Sequence, residues 1–186
     1  MDLILALAVF VLAVAVVGLF AMMGELASRV PAPDTAAGGS PTLNPVEQAR
    51  LGGEVDSWPT EFAQLRDADY GVLVVFSTLC ASCSRIAGGA TGPLVIPAPV
   101  AGVLVSCPQE SSGAAFVADH PMVREYPYAL DVGGEWVIRN FGVDISPSVL
   151  VFERGRLHSA YTFNSVEALK RLPSIHAEES ESVDAG

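Results

Sequence analysis

The sequence has little positive charge and few cysteines. Its 10 lysines and arginines stand against 21 aspartates and glutamates, and the formal net charge is −11. A nucleic-acid-binding protein would carry a basic patch that neutralises phosphates, so we discount nucleic acid as a partner. The acidic balance instead favours the solubility of a folded domain. Three cysteines are too few for a disulfide-stabilised scaffold, so their spacing carries more information than their number.

Charge is absent from one long stretch near the N-terminus. The residues from Leu3 to Met23 are all apolar or small. As a helix that rises 1.5 Å per residue, this run would span roughly 30 Å, the thickness of the hydrocarbon core of a bilayer. The alternative is a cleaved signal peptide, which needs a basic region before the apolar run, and only Met1 and Asp2 precede it. We therefore expect residues 1–29 to form a single-pass transmembrane anchor in the cell membrane.

Composition divides the rest of the chain into three parts. Residues 30–53 are rich in Pro, Ala, Gly and Ser, which is typical of a flexible or partly extended linker. Residues 54–175 should form the folded domain, and the acidic residues 176–186 a disordered tail. Arg29 is the one basic residue close to the predicted span, and by the positive-inside rule it weakly favours a cytoplasmic C-terminal side.

Within the domain, strand and helix patterns alternate, which predicts a mixed α/β layout. Short apolar runs rich in β-branched residues predict buried strands, and a hairpin should turn at Arg154-Gly155. The predicted strands are Val72–Phe76, Val100–Val105, Tyr126–Asp131, Ser148–Glu153 and Arg156–Thr162. The predicted helices are one capped by Ser57 that buries Phe62 and Leu65, then Cys80–Ala87, Ala114–Asp119, and one capped by Asn164 that buries Val166 and Leu169.

The motif Cys80-Ala81-Ser82-Cys83 carries the sharpest chemical information. It follows a predicted buried strand at the point where a helix should begin. Two residues between the cysteines on a helical turn bring the sulfurs close enough to form a disulfide. The helix N-terminus stabilises a thiolate and lowers the pKa of the first cysteine. We therefore expect Cys80 to attack a substrate and Cys83 to resolve the mixed disulfide.

Other uses of a CxxC motif fit less well. A zinc site needs two more ligands, and the remaining cysteine and the three histidines show no second paired spacing. A haem attachment motif needs histidine after the second cysteine, where Ser84 stands. A pair of inert structural cysteines stays open as the plain alternative, but a strand, a CxxC motif and a helix in this order favour redox chemistry.

The sequence also resembles the thioredoxin superfamily over about Trp58 to Leu172. The resemblance rests on VLVVFSTLCASC, a following strand, and YPYALDVGGEWVIRNFGVDISPSVLVFERGRL. The chain is similar to the membrane-anchored, TlpA-like branch, and the anchor followed by GELASRV resembles the MauD-type redoxins, which accompany methylamine dehydrogenase maturation in some bacteria. This resemblance implies a central mixed sheet flanked by helices. It also implies a cis bond before Pro147 and substrate binding by Ser146 and Pro147.

Some positions depart from the family pattern or stay open. Leu79 and the pair Ala81-Ser82 stand where thioredoxin has Trp and a Pro-containing dipeptide. No buried acidic residue can be assigned as proton acceptor for Cys83; Asp56 and Glu61 are candidates by position alone. Cys107 closes a predicted strand whose carboxyl end lies on the same sheet edge as Cys80, so it is a possible third redox thiol. A packed structural cysteine is the more common use of such a position.

These observations predict a membrane-tethered thiol–disulfide oxidoreductase. Its substrates would be cysteine pairs of client proteins, with an unidentified redox partner and no cofactor. Because the resembling family is mostly extracytoplasmic and long domains translocate regardless of charge, we expect the domain outside the cytoplasm, against the hint from Arg29. Two alternatives stay open: a module that holds Cu(I) or Zn on Cys80 and Cys83, and a non-catalytic adaptor.

Overall fold

The computed structural model describes residues 40–53 and 55–172. The predicted transmembrane anchor (1–29), the first part of the predicted linker (30–39) and the predicted acidic tail (176–186) lie outside the described residues. Within the described ranges, no helix combines the length and apolarity that crossing a bilayer requires.

The described chain forms one six-stranded mixed sheet with the strand order β1-β6-β5-β2-β3-β4. Strands β2, β3 and β4 are parallel to one another, while β5 is antiparallel to both of its neighbours, β2 and β6. The short strand β1 pairs antiparallel with β6 at one edge. The strands are β1 (Leu43–Pro45), β2 (Gly71–Ser77), β3 (Val100–Cys107), β4 (Tyr128–Val132), β5 (Ser148–Glu153) and β6 (Arg156–Phe163).

In residues 40–172, Glu54 aside, five short α-helices lie between and after these strands. They are α1 (Ala63–Asp67), α2 (Ala81–Ala87), α3 (Glu110–Asp119), α4 (Glu135–Phe141) and α5 (Val166–Leu169). Two turns of 3₁₀ helix, Thr60–Phe62 and Pro121–Glu125, precede α1 and β4. The architecture is the mixed sheet flanked by helices that the resemblance implied.

The core is divided by the sheet into two apolar clusters. Alternating residues of β2 point to opposite faces, and Val72, Leu73, Val74 and Phe76 have no exposed surface. One cluster contains Cys83 and Ile86 of α2, and the other contains aromatic side chains that include Phe62, Phe141 and Phe152. A strand that is covered on both faces needs a continuous apolar run rather than an alternating one, which is why the sequence VLVVF predicts β2.

The predicted β5–β6 hairpin is confirmed. Arg154 and Gly155 both have positive φ, 48° and 73°, as a two-residue turn that matches the strand twist requires. A side chain at Gly155 would also collide with the main-chain oxygen of Arg66, 2.5 Å from the position of its Cβ. The turn therefore needs glycine both for its conformation and for the close approach of the neighbouring loop.

The predicted linker is wrong in its second half. Residues 43–45 form β1, and Val46, whose backbone N–H donates to Ala160 O at 2.9 Å, is buried in the core. This stretch is rich in small and turn-forming residues, so composition alone predicts no order. The order comes from pairing with β6, whose paired residues lie 116–120 positions later in the chain.

Two predicted helix caps are also wrong. Ser57 does not cap the first helix, whose initial turn follows Pro59. The last helix is capped by Ser165, whose hydroxyl accepts the Ala168 N–H, whereas the Asn164 side chain accepts the N–H of Thr42 at 2.9 Å. Neighbouring residues with equal capping ability cannot be ranked from sequence, because the choice depends on where the preceding strand ends.

Candidate functional site

Strand β2 and helix α2 position the CxxC motif. The backbone N–H of Cys80 donates to Ser77 O at 3.1 Å, which turns the chain from the strand into the helix. Cys80 is the N-cap of α2, and its Sγ accepts the backbone N–H of Cys83 at 3.2 Å. The first N–H groups of a helix have no partner within it, so a sulfur in this position satisfies one of them and is stabilised as thiolate.

The surroundings of Cys80 favour its ionised form. The Cys83 thiol donates a hydrogen bond to the Cys80 sulfur, which is the largest cause that lowers the pKa of Cys80 from 9.0 to about 5. The Ser82 hydroxyl, with its Oγ 3.1 Å from Cys80 Sγ, the Cys83 N–H and the Ser146 side chain act in the same direction, while partial burial opposes them. Cys80 is thus set to be a thiolate at neutral pH.

The surroundings of Cys83 disfavour its ionised form. Its side chain has no exposed surface and belongs to the core cluster beneath α2. Because its proton is shared with the Cys80 sulfur, and because burial disfavours the charged form, the pKa of Cys83 is raised well above its ordinary value. All three cysteines of the chain are free thiols in this structure.

The loop before β5 brings Ser146 to the same place. The main-chain oxygen of Ser146 lies 3.4 Å from Cys80 Sγ, and its side chain contributes to the lowered pKa of Cys80. The Ser146–Pro147 peptide bond is cis, as the resemblance implied. The structure therefore gathers Cys80, Cys83 and Ser146, with Pro147 directly following, at one end of the sheet.

Neither acidic candidate for a proton acceptor belongs to the site. Asp56 and Glu61 are both exposed, and among the described residues no carboxylate contributes to the pKa shift of Cys80 or Cys83. The one buried aspartate that the structure describes, Asp131, accepts the N–H groups of Trp136 and Val137 at 3.0 Å and so holds the first turn of α4. Hydroxyl and backbone groups, rather than a carboxylate, surround the two sulfurs.

Apolar side chains flank the thiols at the surface. Leu79, which directly precedes Cys80, is 81% exposed, and Ile145, which directly precedes Ser146, is 47% exposed. A cavity of about 210 Å³ opens beside Leu79 and is lined by Ser77, Leu79, Ser106, Cys107, Pro108 and Gly133.

Cys107 lies at the end of β3, as predicted, and lines this cavity. It is nonetheless only 3% exposed, and burial raises the pKa of its thiol. Its backbone oxygen accepts the Gly133 N–H at 2.8 Å, which ties the turn before α4 to the end of β3. This position gives Cys107 a packing role and leaves a third redox function as a prediction.

Other places in the described part of the chain offer less chemistry. No group of three or more His, Cys, Asp or Glu side chains there is arranged to hold a metal ion. A larger open depression of about 450 Å³ lies at the β5–β6 turn, at the opposite end of β2 from Cys80. It is lined by Gly52, Glu153, Arg154, Arg156, Leu157 and His158.

Sequence reasoning missed two residues that shape the site. Ser82 is visible in the motif, but only its position on the first turn of α2 shows that its hydroxyl reaches Cys80. Asp131 was read as the end of a strand, although an aspartate shortly before a helix can bind the first N–H groups of that helix. The two glycines between Asp131 and α4 conceal this signal.

Comparison with known proteins gives structural likeness only. No family model matches the chain, and no curated protein resembles it. A thiol:disulfide interchange protein DsbE (described as putative) from Chlorobium tepidum shares 16% identity, with a TM-score of 0.44 over 66% of this chain and 94% of that one. A secreted Mycobacterium tuberculosis disulfide oxidoreductase homologous to E. coli DsbE shares 15%, with a TM-score of 0.41 over 62% and 83%.

StoA from Bacillus subtilis is similar to the same extent. It shares 13% identity, with a TM-score of 0.44 over 68% of this chain and 96% of that chain. At these identities and TM-scores, the likeness does not carry the activity of those proteins over to this chain. The chemistry of the site is therefore argued from its own geometry.

Proposed function

We propose that this protein is a thiol–disulfide oxidoreductase that acts on cysteine pairs of client proteins. The observation that carries the proposal is the asymmetry of the two thiols. Cys80 is partly exposed at the start of α2 with a pKa of about 5, whereas Cys83 is buried with a raised pKa. An attacking thiol must be ionised and accessible, and a resolving thiol must be protected until the mixed disulfide has formed.

The exchange can be written with its electrons and protons balanced. The Cys80 thiolate attacks one sulfur of a client disulfide, and the other client sulfur leaves as a thiolate that takes up a proton. Cys83 then gives up its proton and attacks the Cys80 sulfur of the mixed disulfide, and the second client sulfur leaves as a thiolate that takes up that proton, the first client sulfur having taken its proton from solvent. The client gains two electrons and two protons, and Cys80 and Cys83 become a disulfide. The reverse sequence starts from that disulfide and oxidises a client dithiol.

We assign client contact to the surface around Cys80. Ser146 lies beside the attacking sulfur and is followed by Pro147, and Leu79 and Ile145, which directly precede Cys80 and Ser146, have exposed apolar side chains. Each of these exposed side chains is adjacent in sequence to a residue of the site. A client cysteine at Cys80 would therefore bring its apolar neighbours to Leu79 and Ile145. A polypeptide client fits this surface better than a small, highly charged thiol does.

We also propose that the domain is tethered to the cell membrane and lies on its extracytoplasmic side, in the manner of the TlpA-like and MauD-type redoxins. The apolar run from Leu3 to Met23 supports the tether. Tethering would hold the thiols at high local concentration near clients at the membrane. Membrane fractionation, followed by labelling of Cys80 in intact cells with a membrane-impermeant alkylating agent, tests both statements. Recovery in the soluble fraction would contradict the tether, and labelling only after lysis would contradict the orientation.

A redox titration tests the proposed activity. The full-length chain, in detergent, would be equilibrated in glutathione buffers of graded potential, quenched with an alkylating agent, and its labelled cysteines counted by mass. We expect a reversible two-electron transition confined to Cys80 and Cys83, with Cys107 labelled throughout after unfolding. The same counts test Cys107 as a third redox thiol, because its participation would give a disulfide that contains Cys107. If Cys80 and Cys83 never pair, the oxidoreductase proposal is wrong and the adaptor becomes the better explanation.

A further inference from the structure

The segment that directly follows β1 lies against helix α4 and the loop that leads to Ser146. We call residues 46–50 the N-terminal brace. Its first residue, Val46, is buried and hydrogen-bonded to Ala160 of β6, and the Ala49 N–H donates to Val46 O at 3.0 Å. The brace is therefore fixed to the sheet at one end and is itself folded into a turn.

Arg50 of the brace holds the C-terminal end of helix α4. Its backbone N–H donates to Phe141 O at 2.8 Å, and its guanidinium donates to Ile138 O at 2.7 Å and to Arg139 O. The last carbonyl groups of a helix lack partners within it. Ile138 O also accepts the Gly142 N–H, so Arg50 gives Ile138 O a second donor and provides donors for Arg139 O and Phe141 O at the point where the chain leaves the helix.

Contact continues along the chain that follows α4. Gly142 has φ +67°, and a Cβ there would lie 2.9 Å from Gln48 O, so only glycine allows the brace to approach this closely. The Gln48 side chain then donates from Nε2 to Asp144 Oδ1 at 3.1 Å. Asp144 is two residues before Ser146, whose main-chain oxygen is 3.4 Å from Cys80 Sγ.

We propose that the N-terminal brace positions Ser146 against Cys80, and that Gln48 and Arg50 are positioning residues of the redox site. This inference rests on the proposed function, because a redox site is what the brace would position. The contacts of the brace are the same whether the protein oxidises or reduces its clients. Neither Gln48 nor Arg50 has a contact with a sulfur in the structure. Arg50 holds the end of α4, and Gln48 holds Asp144 in the short connection (residues 142–146) between α4 and Pro147.

The brace has a second consequence for the whole chain. The brace begins directly after β1, so the chain passes from the edge of the sheet to the contacts with α4 and Asp144 within five residues. A change in the brace should therefore alter the chemistry of Cys80 and not only the stability of the domain.

The test compares Gln48→Ala and Arg50→Ala with the wild type in the full-length, reduced chain. The readout is the pH dependence of Cys80 alkylation by iodoacetamide, which follows the thiolate. Because Ser146 contributes to ionisation of Cys80, we expect both variants to shift the midpoint upward, with alkylation at pH 5 slowed roughly fivefold for a one-unit shift. Asp144→Ala should give the same shift, and adding Gln48→Ala to it should change nothing further.

Arg156→Ala is the matched control. The Arg156 guanidinium donates to Gly52 O at 2.9 Å, so it anchors the same N-terminal segment at a point away from residues 138–146. We expect it to lower the melting temperature without moving the alkylation midpoint. If Gln48→Ala and Arg50→Ala also leave the midpoint unchanged, the brace is merely structural and the inference is wrong. Should Arg50→Ala fail to fold, Gln48→Ala decides alone, because Gln48 is exposed.

This outcome is distinguishable from failure of the proposed function. Alkylation requires only a nucleophilic Cys80, whereas the proposed function fails when Cys80 and Cys83 form no reversible disulfide. If the wild type shows a low alkylation midpoint but forms no Cys80–Cys83 disulfide, the oxidoreductase proposal is wrong. The inference about the brace is then still decided by the alkylation midpoints of the same variants.

Discussion

The chemistry of the candidate site comes from small differences between two neighbouring thiols. Cys80 precedes the first turn of α2 and accepts hydrogen bonds, while Cys83 is inside that turn, faces the core and donates one. One helical turn thus separates a sulfur that meets N–H and O–H groups from a sulfur surrounded by apolar side chains.

The first prediction concerns ionisation of Cys80. Since its pKa is lowered to about 5, the alkylation rate of the reduced wild type should follow a single titration with a midpoint near pH 5. Stopped-flow mixing with iodoacetamide between pH 3.5 and 9, with the modified cysteine identified by mass, gives this midpoint. Cys107, whose pKa is raised by burial, is the internal control and should stay unlabelled in the folded chain. A Cys80 midpoint near 9 would contradict the arrangement around it.

A second residue-scale prediction concerns Ser82. Its hydroxyl lies 3.1 Å from Cys80 Sγ and stabilises the thiolate, so Ser82→Ala should raise the pKa of Cys80. Ser84→Ala is the matched control, because Ser84 belongs to the same helix and the Ser84 side chain contributes to neither cysteine pKa. We expect the alkylation midpoint to move upward in Ser82→Ala and to stay in place in Ser84→Ala. Equal midpoints in the two variants would show that Ser82 has no such role.

At the scale of elements, helix α4 matters because both of its ends are held by residues from elsewhere. Asp131 at the end of β4 binds the first N–H groups, and Arg50 of the brace binds the last carbonyls. A seven-residue helix is too short to be stable by itself in water, so these contacts and the burial of Val137 and Phe141 decide that it forms.

The third prediction tests the start of this helix. Asp131→Ala removes the acceptor for the N–H groups of Trp136 and Val137, which are then left without this partner, at a cost of about 1–3 kcal/mol in the free energy of unfolding. Asp131→Asn keeps one acceptor oxygen and should cost less. Urea unfolding monitored by tryptophan fluorescence measures both. Asp56→Ala, at an exposed carboxylate, is the control and should lie within about 0.5 kcal/mol of the wild type.

At the scale of the whole molecule, ionisation of one thiol is linked to the stability of the fold. Cys80 of the folded, reduced chain loses its proton near pH 5, whereas an unperturbed cysteine keeps it up to about pH 9. Between these values the unfolded chain binds more protons, so the free energy of unfolding rises with pH. The contribution is complete above pH 9 and disappears as the pH falls through 5. The raised pKa of Cys83 opposes this only above pH 9.

The fourth prediction follows from this linkage. In urea unfolding of the reduced chain, the stability of the wild type relative to Cys80→Ser should increase from pH 5.5 to pH 8, because the variant lacks the ionising thiol. The oxidised wild type, which has no thiolate at Cys80, should lack the same increase and serves as the control. Parallel pH profiles for reduced wild type and Cys80→Ser would show that the pKa of Cys80 is the same in the folded and unfolded chains.

The sequence by itself determined those features that depend on neighbours along the chain. The apolar, β-branched run VLVVF favours a strand covered on both faces, and Arg154-Gly155 between two predicted strands favours a tight hairpin. The strand, the CxxC motif and the following helical residues place Cys80 at a helix start, which specifies the identity of the thiols and their order of reactivity.

Only the tertiary structure decided what depends on residues far apart in sequence. Strand β1 has three residues and contains Pro45, so nothing but its pairing with β6 marks it as a strand. Helix α4 follows two glycines and was not predicted, because Asp131 and Arg50 hold its ends. The contacts of Ser146 with Cys80, and of Gln48 with Asp144, join segments that are 66 and 96 residues apart. Local sequence patterns encode backbone preference and burial, whereas these contacts exist only after the sheet has brought distant segments together.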